Sequence, residues 1–286
     1  MNRPKVVTVL THQSPVETSE GVQKLLAELP AAGIQVRLPQ EEVEKHRIEP
    51  AEGLVLGAQA EEDGTDLAVV LGGDGTMLYG MRMFAGRGVP VFAFNFGAIG
   101  FLATMERDEL DDGIRRVIEG DFDVLNMPAL TIEVKGKLHF AVNDVSFHRR
   151  ANNRVAELAY LVEGDELGQV RCDGLVVSTP VGSTGYNLAN GGPVLAWGVE
   201  GYVVSFIAPH TLTARTLVVA TDAMLGVQNR STYEPVDVMT DGRLLCSLDP
   251  EEEMPIRFVH DEVMLAQKHG SSYYHRLREK FGRLAY

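Results

Sequence analysis

The chain opens on an apolar, β-branched run from Lys5 to Leu10 and then changes period. Val22, Leu25, Leu26 and Leu29 recur at three, one and three residues, the spacing of one face of an amphipathic helix. Strand character returns over Ile34 to Leu38. Leu67 to Leu71 is a continuous apolar run of the kind buried on both faces of a parallel sheet; Thr76 stands where it can cap a helix running toward Gly86, and Val89 to Phe94 predicts a further strand. Between Arg107 and Glu119, Leu110, Ile114, Val117 and Ile118 share one helical face, and acids crowd the first turn, where the helix dipole favours them. The alternation predicts a three-layer α/β domain with a mostly parallel sheet over residues 1–125.

After Asn126 the pattern shortens to strands separated by turn residues. Leu130 to Val134 and Leu138 to Val142 flank Lys135-Gly136-Lys137, and further runs lie at Leu158 to Glu163 and Gly168 to Arg171. Val236 to Leu248 is broken by Asp241-Gly242, a strong two-residue hairpin signal. A β-rich domain is expected over 126–269. The segment Ser271 to Arg283 reads as a short basic helix, in the simplest case a surface helix packing through Leu277 and Phe281, and residues 270–286 are expected to rejoin the first domain. Glu251-Glu252-Glu253 reads as a solvated acidic turn.

Composition narrows the range of partners. A chain of 286 residues is long enough for two domains, since single cores stop growing at about 250 to 300 residues. An apolar fraction of 45% and a charged fraction of 23% are those of an ordinary globular protein. The net charge of -14 argues against broad nucleic-acid or anionic-membrane binding, which needs a basic field. An anionic ligand would need local help from backbone amides, a placed arginine or a divalent cation. Cys172 and Cys246, the two cysteines, offer neither a disulfide framework nor a four-cysteine zinc site, and a reduced cytoplasmic setting is expected. No apolar run approaches the ~18 residues of a membrane span, and the N-terminal run is too short for a signal peptide.

Gly72-Gly73-Asp74-Gly75-Thr76 follows the buried run ending at Leu71. At the carboxyl end of a parallel strand, glycines let backbone approach a ligand and the next helix presents free amides to an anion, so phosphate binding needs no lysine here. The stretch is neither a Walker loop nor GxGxxG. Its plain alternative is a tight Asp-Gly turn. A second cluster, Asp173 to Pro193, again follows a short apolar strand, Leu175 to Val177. There Gly182, Gly185, Gly191 and Gly192 permit close approach, Ser183 or Thr184 can cap a helix, and Tyr186 can stack on a ring, while a capped helix with a Gly-Gly-Pro turn explains the same residues. Asn143-Asp144 suits vicinal ribose hydroxyls or an ordinary strand end. Arg171 stands two residues before Asp173 and can offset a phosphate or simply be solvated.

Taken in order, these stretches resemble the ATP-dependent NAD kinase family: GGDGT at 72–76, an NxGxxGFL pattern from Asn95 to Leu102, Asn143-Asp144, DGLVVSTPVGSTGY at 173–186, Gly191-Gly192-Pro193, and Pro209-His210-Thr211-Leu212 followed by Arg215. The resemblance implies transfer of the γ-phosphate of ATP to the 2′-hydroxyl of the adenosine ribose of NAD, giving NADP, with Mg2+ or Mn2+ as cofactor. It implies an α/β domain followed by a β-rich domain, with the active site between them. By the family pattern Gly72, Gly73, Gly75 and Thr76 bind ATP phosphate, and Asp74 approaches the accepting hydroxyl as catalytic base with Gly75 beside it. Asn143 and Asp144 hold the NAD ribose, Phe101 lies by the adenine, and Thr184, Gly185 and Tyr186 line the NAD pocket. Arg171 and Asp173 contact NAD as well, in a homotetramer or homodimer. No residues are assigned as dedicated metal ligands. The family usually has Thr, Ala and Ser where Val181, Gly185 and Ala189 stand, so hydroxyl contacts at Val181 and Ala189 are absent.

Three rivals stand against this reading. A lipid kinase would share GGDGT, but the acidic surface and lack of an exposed basic amphipathic helix before residue 271 count against it. A dinucleotide-binding sensor would hold NAD without turning it over. A dehydrogenase lacks its Rossmann fingerprint here.

Overall fold

The computed structural model describes residues 3–58, 64–97, 100–151 and 154–282. Ala98 and Ile99 of the NxGxxGFL pattern, and Arg283 of the basic segment, lie outside the described residues. The chain forms two compact units, one holding residues up to Asn126 together with those from Glu262 onward, the other Met127–Asp261.

In the first unit strand and helix alternate: β1 (Val6–Thr11), α1 (Pro15–Ala31), β2 (Gln35–Pro39), α2 (Gln40–His46), β3 (Leu54–Ala58), β4 (Leu67–Gly72), α3 (Asp74–Met83), β5 (Pro90–Asn95), the two-residue β6 (Met105–Glu106) and α4 (Leu110–Glu119). The strands pair in parallel in the order β3-β2-β1-β4-β5. Leu67 to Leu71 are fully buried because both faces of β4 are covered. Gly21 of α1 lies against Leu71, while Gly80 of α3 lies against Val70, the neighbouring residue that points to the opposite face. The strand order reverses between β1 and β4. In open parallel sheets that reversal is where ligands bind, outside the carboxyl ends of the strands, and β4 ends at Gly72.

The second unit is antiparallel. Its elements are β7 (Asp123–Val134, begun before the boundary), β8 (Lys137–Ala141), β9 (Asp144–Arg149), β10 (Ala156–Val162), β11 (Asp165–Cys172), β12 (Gly174–Ser178), the one-turn α5 (Tyr186–Ala189), β13 (Tyr202–Ile207), β14 (Leu217–Val219), β15 (Leu225–Asn229), β16 (Val236–Thr240), β17 (Arg243–Leu248) and β18 (Glu253–Gln267). One six-stranded sheet runs β14-β13-β12-β9-β16-β17. Phe147, Leu175, Val177 and Val238 from it share a core with Leu158, Val227 and Ile256 from the β11-β10-β15-β18 group. At three hairpin turns Lys135 and Gly136 have φ of 52° and 76°, Glu163 and Gly164 have 53° and 85°, and Asp241 and Gly242 have 45° and 75°. Such paired left-handed residues are what a two-residue turn between twisted strands requires. β18 then carries the chain back to the first unit, where Met264 and Leu265 pair in parallel with β5 and α6 (Tyr273–Phe281) follows.

Two expected helix caps are not formed. α3 begins at Asp74 with Gly73 as its N-cap and ends at Met83, and no side chain caps it. Thr76 instead packs its side chain over Gly72, where an added Cβ would lie 2.5 Å from Thr76 Oγ1. Gly185, not Ser183 or Thr184, is the N-cap of α5. Ser183 is fully buried, donates its hydroxyl to Pro180 O at 2.7 Å and accepts from Leu195 N–H at 2.9 Å, so its polar capacity is used within the fold.

Candidate active site

In the first unit the site is built around Asp74. As the first residue of α3 it stands at the carboxyl end of the switch-point strand, and its carboxylate turns toward the loop after β5. Phe101 N–H donates to Oδ2 at 2.9 Å and Leu102 N–H to Oδ1 at 3.3 Å. About a third of the side chain, 32%, stays exposed, so a lone pair remains for an incoming hydroxyl. Asn95, 3% exposed, accepts Gly97 N–H at 3.0 Å and donates to Glu106 at 2.9 Å. Gly97 in turn backs onto Gly73: a Cβ on Gly97 would lie 3.3 Å from Gly73 Cα. Asn95, Gly97 and Gly100 of the NxGxxGFL pattern therefore form a clamp that fixes the Gly72–Thr76 loop.

The loop glycines differ in their surroundings. Gly72 is closed by Thr76, whereas a Cβ on Gly75 would have nothing within 4 Å and one on Gly73 would meet only Gly97 Cα at 3.9 Å. Beside them lie the N–H groups of Asp74 and Gly75 at the start of α3, which suit an anion; the next two, of Thr76 and Met77, already donate to Gly73 O at 2.9 and 3.1 Å. Phe101 is 7% exposed. Its ring lies 5.8 Å from that of Phe281, Lys280 Nζ sits 4.5 Å over it, and its carbonyl accepts Arg276 Nη1 at 2.6 Å. Burial pulls the Arg276 guanidinium below its usual pKa, while Asp74, Glu279 and Glu106 oppose that shift. Lys280 Nζ also lies 3.8 Å from Asp74 Oδ2. A cavity of about 460 Å³ under the start of α6 is lined by Gly100, Thr104, Glu106, Glu109, Lys268 and Arg276 among others, but not by Asp74.

The second unit assembles the other expected residues. Asn143 immediately precedes β9 and Asp144 opens it, and the Asp241 carboxylate accepts the main-chain N–H groups of Val142, Asn143 and Asp144 at 3.1, 2.7 and 3.1 Å. Asn143 O accepts Thr179 N–H at 2.9 Å, and Gly182 lies so close that a Cβ there would be 2.2 Å from it. Asp144 is 6% exposed; burial first, and the neighbouring Asp241 second, push its carboxyl up to about 7. Tyr186 stacks on His148 with ring centroids 5.7 Å apart and planes 9° apart. Burial, then Asp144 and Asp173, raise the Tyr186 phenol, and burial lowers His148 against the opposing pull of Asp237. Asp173 pairs with Arg149 Nε at 2.5 Å. Thr184 is half-buried and Gly185 exposed in the turn before Tyr186. Arg171 is exposed on β11, and its carbonyl accepts His210 N–H at 2.7 Å.

Sequence reasoning missed several participants. Asp241 was legible only as a turn residue, Arg149 and His148 carry no motif, and Arg276 with Lys280 lay in a helix read as surface. Asn187, fully buried, also escaped notice: its Nδ2 donates to Ser183 O at 3.0 Å and Pro193 O at 2.9 Å, tying α5 to the Gly191-Gly192-Pro193 turn.

A carboxylate seated at the switch point beside open glycines and helix-end amides makes the first unit an α/β module of a geometry suited to phosphoryl transfer. Residues 8–122 match the ATP-NAD kinase N-terminal domain and residues 142–267 the ATP-NAD kinase C-terminal domain, and the chain belongs to the ATP-NAD kinase family. It is 35% identical over 223 residues to an NAD kinase of Gemmatimonas aurantiaca, covering 76% of this chain and 77% of the relative. To NAD kinase 2 of Streptomyces coelicolor it is 32% identical over 287 residues, covering 98% and 95%. In fold it is similar to the crystal structure of yeast NADH kinase complexed with NADH, with a TM-score of 0.87 at 22% identity, covering 100% of this chain and 90% of that one.

Proposed function

We propose that this protein is an NAD kinase, transferring the γ-phosphate of ATP to the 2′-hydroxyl of the adenosine ribose of NAD to give NADP. The observation that carries the assignment of residues is the seating of Asp74, whose carboxylate is fixed by two main-chain N–H groups yet open to an incoming hydroxyl. Asp74 orients that hydroxyl and takes its proton as the bond to phosphorus forms. Gly73 and Gly75, with the first amides of α3, bind donor phosphate; Gly72 and Thr76 shape the loop by packing on each other.

In the second unit Asn143 and Asp144 hold ribose hydroxyls. With its carboxyl pushed up to about 7, Asp144 keeps a proton in a large share of molecules near neutrality and in that form donates as well as accepts. Thr184, Gly185 and Tyr186 line the dinucleotide pocket, Tyr186 braced by its stack on His148. Asp173, held by Arg149, and the exposed Arg171 complete the NAD contacts.

A divalent cation, Mg2+ or Mn2+, belongs to this reading. Among the described residues no three His, Cys, Asp or Glu side chains converge as a cage. Asp74, a third exposed beside the open Gly75, is the carboxylate that would hold the ion there together with the donor's phosphates, as magnesium is commonly held. Bound with ATP, the ion supplies charge neutralisation for the moving phosphoryl group.

Among the described residues no helix is long and apolar enough to cross a membrane. A cytoplasmic setting is part of the proposal, supported by two free thiols. So is homodimer or homotetramer assembly, supported by apolar side chains left on the second unit's surface, with Leu212 93% and Tyr233 84% exposed. Incubation with NAD, ATP and Mg2+, read through an NADP-specific dehydrogenase, tests the function. NADP formation supports it; tight NAD binding without product would mark a sensor instead.

A further inference from the structure

The Gly72–Thr76 loop contains no lysine, yet the fold brings one to it from the far end of the chain. Lys280 Nζ lies 3.8 Å from Asp74 Oδ2, beyond hydrogen-bond distance, and 4.5 Å over the Phe101 ring. Among the described residues its ammonium has no hydrogen-bond partner, and 31% of the side chain is exposed. All three of its donors therefore remain for a ligand. Of the neighbouring cations, Arg276 is committed to Phe101 O and Arg107 lies over the Phe96 ring with Glu20 as its ion-pair partner, whereas the carboxylate beside Lys280 is that of Asp74 itself. α6 is also anchored at this place, by the Arg276 hydrogen bond and by the contact of Phe281 with Phe101. The lysine is thus held over the residue whose N–H fixes Asp74.

A carboxylate alone repels the phosphates that must approach it, and helix-end amides offset only part of that charge. We propose that Lys280 is a further binding residue of the phosphoryl-transfer site, its ammonium contacting the polyphosphate of the donor and supplying from α6 the cation that the loop lacks. The inference rests on the kinase reading above and deepens it.

Lys280→Met and Lys280→Arg test it in the full-length protein, since the side chain is partly exposed and both replacements keep its aliphatic stem over Phe101. The readouts are steady-state kinetics and calorimetric titration with inorganic tripolyphosphate. Loss of one charge-assisted contact predicts that K280M raises both the KM for ATP and the tripolyphosphate Kd about 10- to 100-fold. The KM for NAD should move less than about twofold, and K280R should recover most of the loss. Unchanged ATP and tripolyphosphate affinities in K280M overturn the proposal. So does a loss confined to NAD, or an equal loss in K280M and K280R. Should the wild type make no NADP, the kinase reading fails separately, because tripolyphosphate binding to wild type and K280M still reports on the lysine.

Discussion

A Cβ placed on Gly100 would lie 1.9 Å from Asp74 Oδ1, so the absence of a side chain at residue 100 is what allows the carboxylate its seat. Gly100→Ala forces either Asp74 or the Phe101–Leu102 amides to move. A displacement of about 1 Å at a reacting group costs on the order of 10²-fold in rate. G100A is expected to lose about that much kcat, with NAD and ATP still bound; kinetics on the purified variant check it. Full activity would mean that Asp74 need not be where it is seen.

Gly73 makes the opposite prediction. Its backbone is extended, at φ -94° and ψ -177°, and a Cβ would meet only Gly97 Cα at an ordinary 3.9 Å. Nothing in the fold demands glycine there. Gly73→Ala should cost about 1 kcal/mol of stability as a poorer N-cap, leaving the protein folded, while its KM for ATP rises about tenfold, because only a ligand fills that space. Thermal melts alongside ATP kinetics distinguish the two effects.

Much of the fold was legible in the chain, for identifiable reasons. The helical face of Leu110, Ile114 and Val117 and the unbroken run into Gly72 both report burial that neighbouring elements enforce. Asp241-Gly242 marked its hairpin because few residues accept two consecutive left-handed conformations. What the turn signal could not disclose is that the same carboxylate holds the Asn143-Asp144 amides, 98 and 97 residues away in sequence. Arg276 reaches Phe101 O across 175 residues, and no local period encodes such a contact. β7 begins at Asp123, ahead of the strand expected from Leu130, because Pro128 interrupts the run and Val124 and Leu125 are apolar yet exposed, so no alternation of buried and polar positions marks the start. Thr76 looked like a cap because hydroxyls favour helix starts, but the extended Gly73 takes that place and Thr76 packs inward on Gly72.

Asp241 therefore acts as a positioning residue. Asp241→Asn leaves at least one of the three main-chain N–H donors facing an amide N–H2. The expected result is a stability loss of about 1–3 kcal/mol by denaturant titration. The KM for NAD should rise, and ATP affinity should not change.

Asp144 gives stability a distinctive pH dependence. Its folded-state carboxyl is pushed up to about 7 from an ordinary 3.8, by burial and then by Asp241. The folded state thus keeps a proton that the unfolded chain has released. The stability associated with it is fully present below about pH 4 and lost as pH rises toward about 7. Asp144→Asn carries no proton to lose, so its Tm relative to wild type should climb across that window and level off above it. A flat or falling difference would contradict the burial of this group.

The central claim is that Asp74 takes the proton from the ribose hydroxyl during phosphoryl transfer. The direct measurement is NADP formation from NAD, ATP and Mg2+ by Asp74→Asn, compared with wild type at saturating substrates. A positioned base contributes roughly 10² to 10⁴ in rate, so D74N should lose turnover by that factor while binding NAD nearly as well. A D74N protein that makes NADP at the wild-type rate would contradict the account.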